Sequence, residues 1–227
     1  MIVYVMISLR KEGVKSLRNH KENCKRIPAY LIGLLCTCFG VALVLKTNLG
    51  LDAWNGVFAG LERITPFSFG TWSVVIQGAF LLIAAALNRK MEWLSVFPII
   101  YKGIFLDAAK AMVSPNFMHP GVAARVSLFL CGYLLVALGT GLYVATGYPK
   151  MPIDGLMTAL SNSYLGSIKK SRLLIEITGF ISLLLVGGTF GIGTIIITFT
   201  IGHFISAAKR LAEKWVKLGE EYKESAS

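Results

Sequence analysis

Residues 26–47 read RIPAYLIGLLCTCFGVALVLKT, and residues 125–146 read RVSLFLCGYLLVALGTGLYVAT. Both open on arginine and close on threonine. Both carry glycines seven residues apart, Gly33 and Gly40 in one, Gly132 and Gly139 in the other. The residues between are almost wholly apolar, and a helix needs about 20 such residues to cross the ~30 Å hydrocarbon core of a bilayer. Each stretch therefore reads as a transmembrane helix. Applied to the whole chain, the same rule gives six spans: Ile27–Leu45, Thr71–Asn88, Trp93–Ala109, Val126–Ala145, Leu173–Phe190 and Ile192–Ala208. Continuous apolar runs exclude a transmembrane barrel, whose strands alternate over about ten residues. The expected fold is all-α, a polytopic membrane protein of six transmembrane helices. The third span departs most from the pattern, because it holds Pro98, Lys102 and Asp107.

Composition agrees. Of the 227 residues, 55% are hydrophobic and 15% charged, against about 25% charged in a soluble domain. The formal net charge of +11 could suggest nucleic acid, but the basic residues fall between apolar runs and not along one polar face, so no nucleic-acid partner is expected. Cys36, Cys38 and Cys131 lie inside apolar runs and no C-x-x-C pair exists, which reads as free thiols acting as small apolar residues. Residues 1–26 begin with an apolar octet before Arg10 and Lys11, the wrong order for a signal peptide and too short to span, so they read as a basic cytoplasmic tail.

Lys and Arg set the orientation. Seven lie in the N-terminal tail, Arg89 and Lys90 follow the second span, and Lys150, Lys169, Lys170 and Arg172 follow the fourth. Five more occupy the C-terminal tail. Lys46, Arg63, Lys110 and Arg125 fall on the other side, with Lys102 inside a span. Both termini are expected in the cytoplasm.

At an offset of 99 residues the chain aligns on itself without a gap, 26–110 over 125–209, with 16 identities in 85 positions. Composition alone would give roughly 6, so the excess suggests a duplication. Each half carries three spans, an odd number, so the second must insert upside down relative to the first. Inverted repeats of this kind build many secondary transporters, with the substrate site near the midplane. An ancient duplication whose product carries nothing is the competing reading.

In each half a mixed segment follows the first span. Asn55-Gly56 and Asp154-Gly155 occupy equivalent places there. An Asx side chain can cap a helix start, or it can line a solute path in a short re-entrant helix; both readings stay open for segments 52–64 and 153–165.

These segments and others resemble a known family. Phe39-Gly-Val-Ala, Leu49-Gly50 with Trp54, Phe69-Gly-Thr-Trp72, Ile153-Asp-Gly-Leu-Met157, Arg172 with Ile175-Glu176, and Gly191-Ile-Gly-Thr194 with Ile201-Gly202 resemble the bacterial YczE/YyaS/YitT-like membrane proteins over roughly residues 27 to 208. The resemblance implies a bacterial cytoplasmic-membrane protein of mainly helical fold and assigns no activity. Two departures stand out: Asn55 where the family often has Asp, and His203 where it commonly has Pro.

Ionisable groups inside a span cost on the order of 2.5–3.5 kcal/mol at its centre and are functional candidates by default. Lys102, Asp107, Glu176 and His203 qualify. Arg172 precedes Glu176 by one turn and shares its face. Glu176 lies over Gln77 in the self-alignment, so both halves place a side chain of similar length and hydrogen-bonding capacity at one position. Lys102 needs a partner, and Glu176 from the other half is the expected one. Glu176, Gln77, Lys102, Asp107 and Arg172 thus form the expected polar centre or transport path, with Asn55 and Asp154 as a second candidate site. His203 reads as a helix-packing residue, and no metal-ligand spacing is present. Gly191 and Gly193 read as a tight turn that permits close helix packing.

No enzyme motif appears, and neither catalytic residues nor a cofactor is expected. Leu211, Trp215, Leu218 and Tyr222 share a stripe with lysines between, which reads as an amphipathic tail helix over 209–223 on the anionic inner leaflet, or as a solvated tail. The function expected is a small secondary transporter or permease of unidentified solute. The alternatives are a membrane scaffold or regulator of a partner system, and a membrane substrate-binding subunit of a multicomponent importer. The expected partners are the lipid bilayer, a small solute, and a second copy or another membrane protein.

Overall fold

A computed structural model of the chain describes residues 26–113 and 121–224, with side chains as far as Lys214. The basic tail expected at the N-terminus lies outside the described residues, save Arg26, which opens the first helix. Among the described residues eight α-helices follow in order: α1 Arg26–Thr47, α2 Ala53–Ile64, α3 Phe69–Asn88, α4 Val96–Met112, α5 Val122–Ala145, α6 Pro152–Leu160, α7 Ile168–Leu185 and α8 Ile192–Glu224. A 3-10 turn, Trp93–Ser95, leads into α4, and one π turn, Ser161–Leu165, follows α6. No β-strand occurs among the described residues.

Four helices are long and apolar enough to cross a membrane: α1, α3, α5 and the Ile192–Lys214 part of α8. At 17 residues α4 is shorter, and α7 is diluted by Lys169, Lys170, Arg172 and Glu176. All six apolar runs are helical, but two boundaries move. α7 runs Ile168–Leu185, not 173–190. Its start takes in polar residues that read as loop, and it ends where Gly188 N and Gly187 N turn back onto Leu183 O and Leu184 O, with Gly187 at φ +59°, a left-handed termination. Pro98 is tolerated because it falls in the first turn of α4, where no intrahelical bond is lost. Residues 209–223 are not a separate tail helix, since α8 continues unbroken to Glu224.

Glycine seams hold the bundle. A Cβ on Gly33 would lie 2.8 Å from Gly139 O, and one on Gly40 would lie 2.7 Å from Gly132 O. Rising numbers on α1 meet falling numbers on α5, so these two helices cross antiparallel at backbone contact. Without a hydrophobic gain between helices in lipid, such close van der Waals packing is what drives association. Gly70 and Gly103 bring α3 and α4 together in the same way, and a Cβ on Gly141 of α5 would lie 2.5 Å from the Ala208 Cβ of α8. The short helices cross over between the longer ones: α2 packs on α7, and α6 on α3. Cys38, Leu51, Phe58, Phe69 and Leu106 form the core beneath them. Cys36, Cys38 and Cys131 are free thiols.

Candidate functional site

The loop into α2 is pinned by the turn before α8. Gly193 N donates to Leu49 O at 2.8 Å. Gly50 sits at φ +114°, and a Cβ there would lie 2.5 Å from Thr194 Oγ1, so only glycine meets both demands. Gly191 and Gly193 both lie against the Leu49 carbonyl, which is the close approach their spacing suggested.

This loop delivers Asp52 to the head of α2. Its Oδ2 accepts from Asn55 N at 3.3 Å, and its Oδ1 accepts from Asn55 Nδ2 at 2.7 Å. Asp52, not Asn55, is therefore the cap. A capping oxygen must precede the free N–H groups that it serves, and Asn55 already stands inside the first turn. Asp154 is likewise no cap. It is the third residue of α6, whose cap position is Met151 with no side-chain bond and whose first residue is Pro152. Burial pushes the Asp154 carboxyl up from its ordinary value, and the charges of Lys150, Lys102 and Arg172, in that order, draw it back.

Lys102 thus acts on Asp154. No ion pair joins it to Glu176, against the pairing expected from sequence: the ion pairs between described side chains are Lys110–Glu62 and Lys209–Glu213. The reason is topological. α4, which carries Lys102, packs on α3, whereas α7 with Glu176 packs on α2 and α6, so the two helices share no extended interface. The charges that act on Glu176 are Asp52, of like sign, and Arg172. Arg172 is exposed, and its guanidinium lies against α8, where a Cβ on Gly202 would come within 3.0 Å of one of its nitrogens. His203 is exposed, not packed between helices.

Trp54 stands between α3 and α7. Its ring meets Phe80 edge-on at 4.7 Å between centroids, and a Cβ on Gly179 would lie 2.8 Å from its Nε1. Three buried polar atoms in this region lack a hydrogen-bond partner among the described residues: Trp54 Nε1, Asn55 Oδ1 and Gln77 Oε1. Such atoms are few in native interiors and costly, about 1–3 kcal/mol each. Asp52 and Trp54 were not singled out as site residues from sequence. The alignment set Asp52 over Met151 and so hid it, although Asp three residues before Asn at a helix start is itself a capping signal.

Asp107 has a different task. Its Oδ1 accepts from Gly70 N at 2.7 Å and its Oδ2 from Ser68 Oγ at 2.5 Å, so α4 caps the start of α3. Glu62 Oε1 takes Phe69 N at 3.0 Å beside it, and Lys110 pairs with Glu62. Asp107→Ala is expected to cost about 2 kcal/mol, lowering the melting temperature by roughly 4–8 °C, with Asp107→Asn intermediate. A thermal melt in detergent checks this, and an unchanged melting temperature contradicts the capping role.

Spanning apolar helices, backbone-contact glycine seams and a polar interior define a multi-pass helical membrane protein. The chain belongs to DUF6198, described as a family of unknown function, whose model matches residues 24–210. It is similar to the uncharacterized protein YyaS of Bacillus subtilis (strain 168), 25% identical over 186 residues, which cover 82% of this chain and 92% of the relative. It is also similar to an uncharacterized protein of Haemophilus influenzae, 28% identical over 181 residues, 80% of this chain and 82% of the relative. The uncharacterized membrane protein YczE of Bacillus subtilis (strain 168) is 25% identical over 178 residues, 76% of this chain and 80% of the relative. The resemblance to YczE- and YyaS-like proteins is thereby shown. No solved structure matches the chain significantly.

Proposed function

We propose that the protein is a small secondary transporter of the bacterial cytoplasmic membrane, built from two three-span halves of opposite orientation with both termini inside. The observation that carries this is the exchange of contacts under the 99-residue offset. Gly33 against Gly139 becomes Gly132 against Gly40, the other contact in the same antiparallel seam. The pairing of α2 with α7 becomes that of α6 with α3, and both occur. Helix starts keep the same register, Ala53 with Pro152 and Phe69 with Ile168. Thr47 and Thr146 each donate to the carbonyl three residues back. A two-fold axis in the membrane plane produces such reciprocity between inverted repeats; it is broken at α3 with α4, whose counterpart α7 with α8 is not packed to the same extent.

α2 and α6, at 12 and 9 residues, are roughly 18 and 14 Å long, too short to cross. They fit the discontinuous helices that surround transporter sites, with buried polar groups at their N-terminal ends. The six-span arrangement adds α4 and α7 to the four apolar helices. Reporter fusions after Lys90 and at the C-terminus are expected to read cytoplasmic, and one at Asn116 external. An external C-terminus contradicts the arrangement. Purified protein in liposomes is expected to move a solute down its gradient, found by screening solute classes. Solute-independent behaviour across such a screen, with stable capture of a membrane partner, would instead support the scaffold reading.

A further inference from the structure

Glu176 is half-buried on α7, makes neither an ion pair nor a hydrogen bond among the described residues, and feels Asp52 of like charge. Arg172 also acts on it, with opposite charge, but forms no ion pair with it, and a carboxylate held within a bundle without a paired counter-charge is costly. Asp52 is fixed by the Asn55 amide, and the planar geometry of that amide is decisive. Its nitrogen must face the carboxylate, to which it donates at 2.7 Å, so the other end is an oxygen. That oxygen, Asn55 Oδ1, is buried and unpartnered on a residue only 7% exposed. Gln77, 4% exposed, adds a second buried amide end without a partner one turn from Phe80. Phe80 and Gly179 both border Trp54, and Glu176 lies one turn from Gly179. Asp52 and Asn55 thus flank Trp54 in sequence at the head of α2, and Gln77 and Glu176 each stand one turn from a residue that borders its ring, with the Arg172 guanidinium lying against α8.

Resting on the transporter reading, we propose that this constellation is the solute site and that it binds a small organic ammonium ion. Its N–H donors would meet Asp52, Glu176 and the Asn55 and Gln77 oxygens, and its positive charge would lie near the Trp54 ring. The Trp54 ring beside these groups favours an organic ammonium ion over a bare metal ion, since an aromatic face attracts an ammonium group and gives a metal ion no oxygen ligand.

The test uses the full chain purified in detergent, with methylammonium, ethanolamine and putrescine as probes and NaCl as comparison, at ionic strength fixed with KCl. At a hundred times its Kd, at least one ammonium probe is expected to raise the melting temperature by roughly 5–10 °C, with no such rise from NaCl. Glu176→Gln is expected to abolish that rise while melting at or above the wild type without probe, since it removes a half-buried carboxylate that has no ion-pair partner. Asp52→Asn, which preserves the helix cap, is expected to weaken the probe's effect at least tenfold in concentration. Three results would overturn the site: no shift with any ammonium probe, an equal shift with NaCl, or a shift that survives both substitutions. The two readings fail separately. An ammonium-dependent shift without flux in liposomes keeps the site and removes transport, whereas flux of a solute without any ammonium-dependent shift keeps transport and removes the site.

Discussion

Gly40→Leu is expected to leave almost no monodisperse, folded protein after detergent extraction. A Cβ at this position would already lie 2.7 Å from Gly132 O and from the Val136 backbone nitrogen. Neither atom can swing aside, because both belong to the α5 backbone. Leucine adds three carbons beyond that, so α1 and α5 must separate along the seam that joins the two halves of the chain. The lost packing has no hydrophobic gain to replace it in lipid, and a cost above about 4 kcal/mol is expected for so large an overpacking. Gly132→Leu should match it, since a Cβ there would lie 2.8 Å from Gly40 O. Gly78→Leu is the control, a glycine whose added Cβ meets nothing within 4 Å, and it should behave as wild type in size-exclusion chromatography and thermal melts. Equal behaviour of Gly40→Leu and Gly78→Leu contradicts the seam.

The second large effect is a contrast between helix pairs that the 99-residue offset makes equivalent. Gly70→Val is expected to unfold the α3–α4 pair, because its Cβ would collide with Gly103 O and would lie 2.6 Å from Asp107 Oδ2. The cost includes the cap, since Asp107 could no longer reach Gly70 N. Gly202→Ala, at the position on α8 equivalent to Gly103, meets only the Arg172 guanidinium, at 3.0 Å, the far end of a flexible side chain. That change should shift the melting temperature by no more than about 2 °C. Similar losses in both variants would contradict the difference between the closely packed α3–α4 pair and the loosely associated α7 and α8.

The apolar runs made much of the fold legible. A helix in lipid must satisfy its own backbone, so length and hydropathy alone locate α1, α3, α5 and the apolar part of α8. The repeated glycines Gly33/Gly40 and Gly132/Gly139 are also the residues that meet, since a Cβ at any of them would hold the two backbones apart, but the repeat alone does not say that they touch. The interior was read less well. Lys102 and Glu176 were paired because each needed a partner, but charge alone carries no distance, and the helices bearing them pack on different neighbours. The residue type of Asn55 leaves a cap and a path-lining side chain both open, whereas its bond to Asp52 depends on a turn fixed by Gly50 and Thr194, 144 positions apart. Asp107 gave the signal of a membrane-embedded acid, yet it serves as a helix cap supplied by another helix. Sequence periodicity is silent on such caps because their donor and acceptor are not local.

The inverted arrangement of the two halves is tested most directly by one pair of cysteines at repeat-equivalent positions, Ile64→Cys and Ser163→Cys. Both sites are exposed, at the ends of the short helical segments that follow α1 and α5. In a background lacking Cys24, Cys36, Cys38 and Cys131, each variant would be treated in intact cells and in inside-out vesicles with a membrane-impermeant maleimide. Cysteine 64 should react only from outside and cysteine 163 only from the cytoplasmic face. Labelling of both from the same side would contradict the inverted repeat, and with it the transporter architecture built on it.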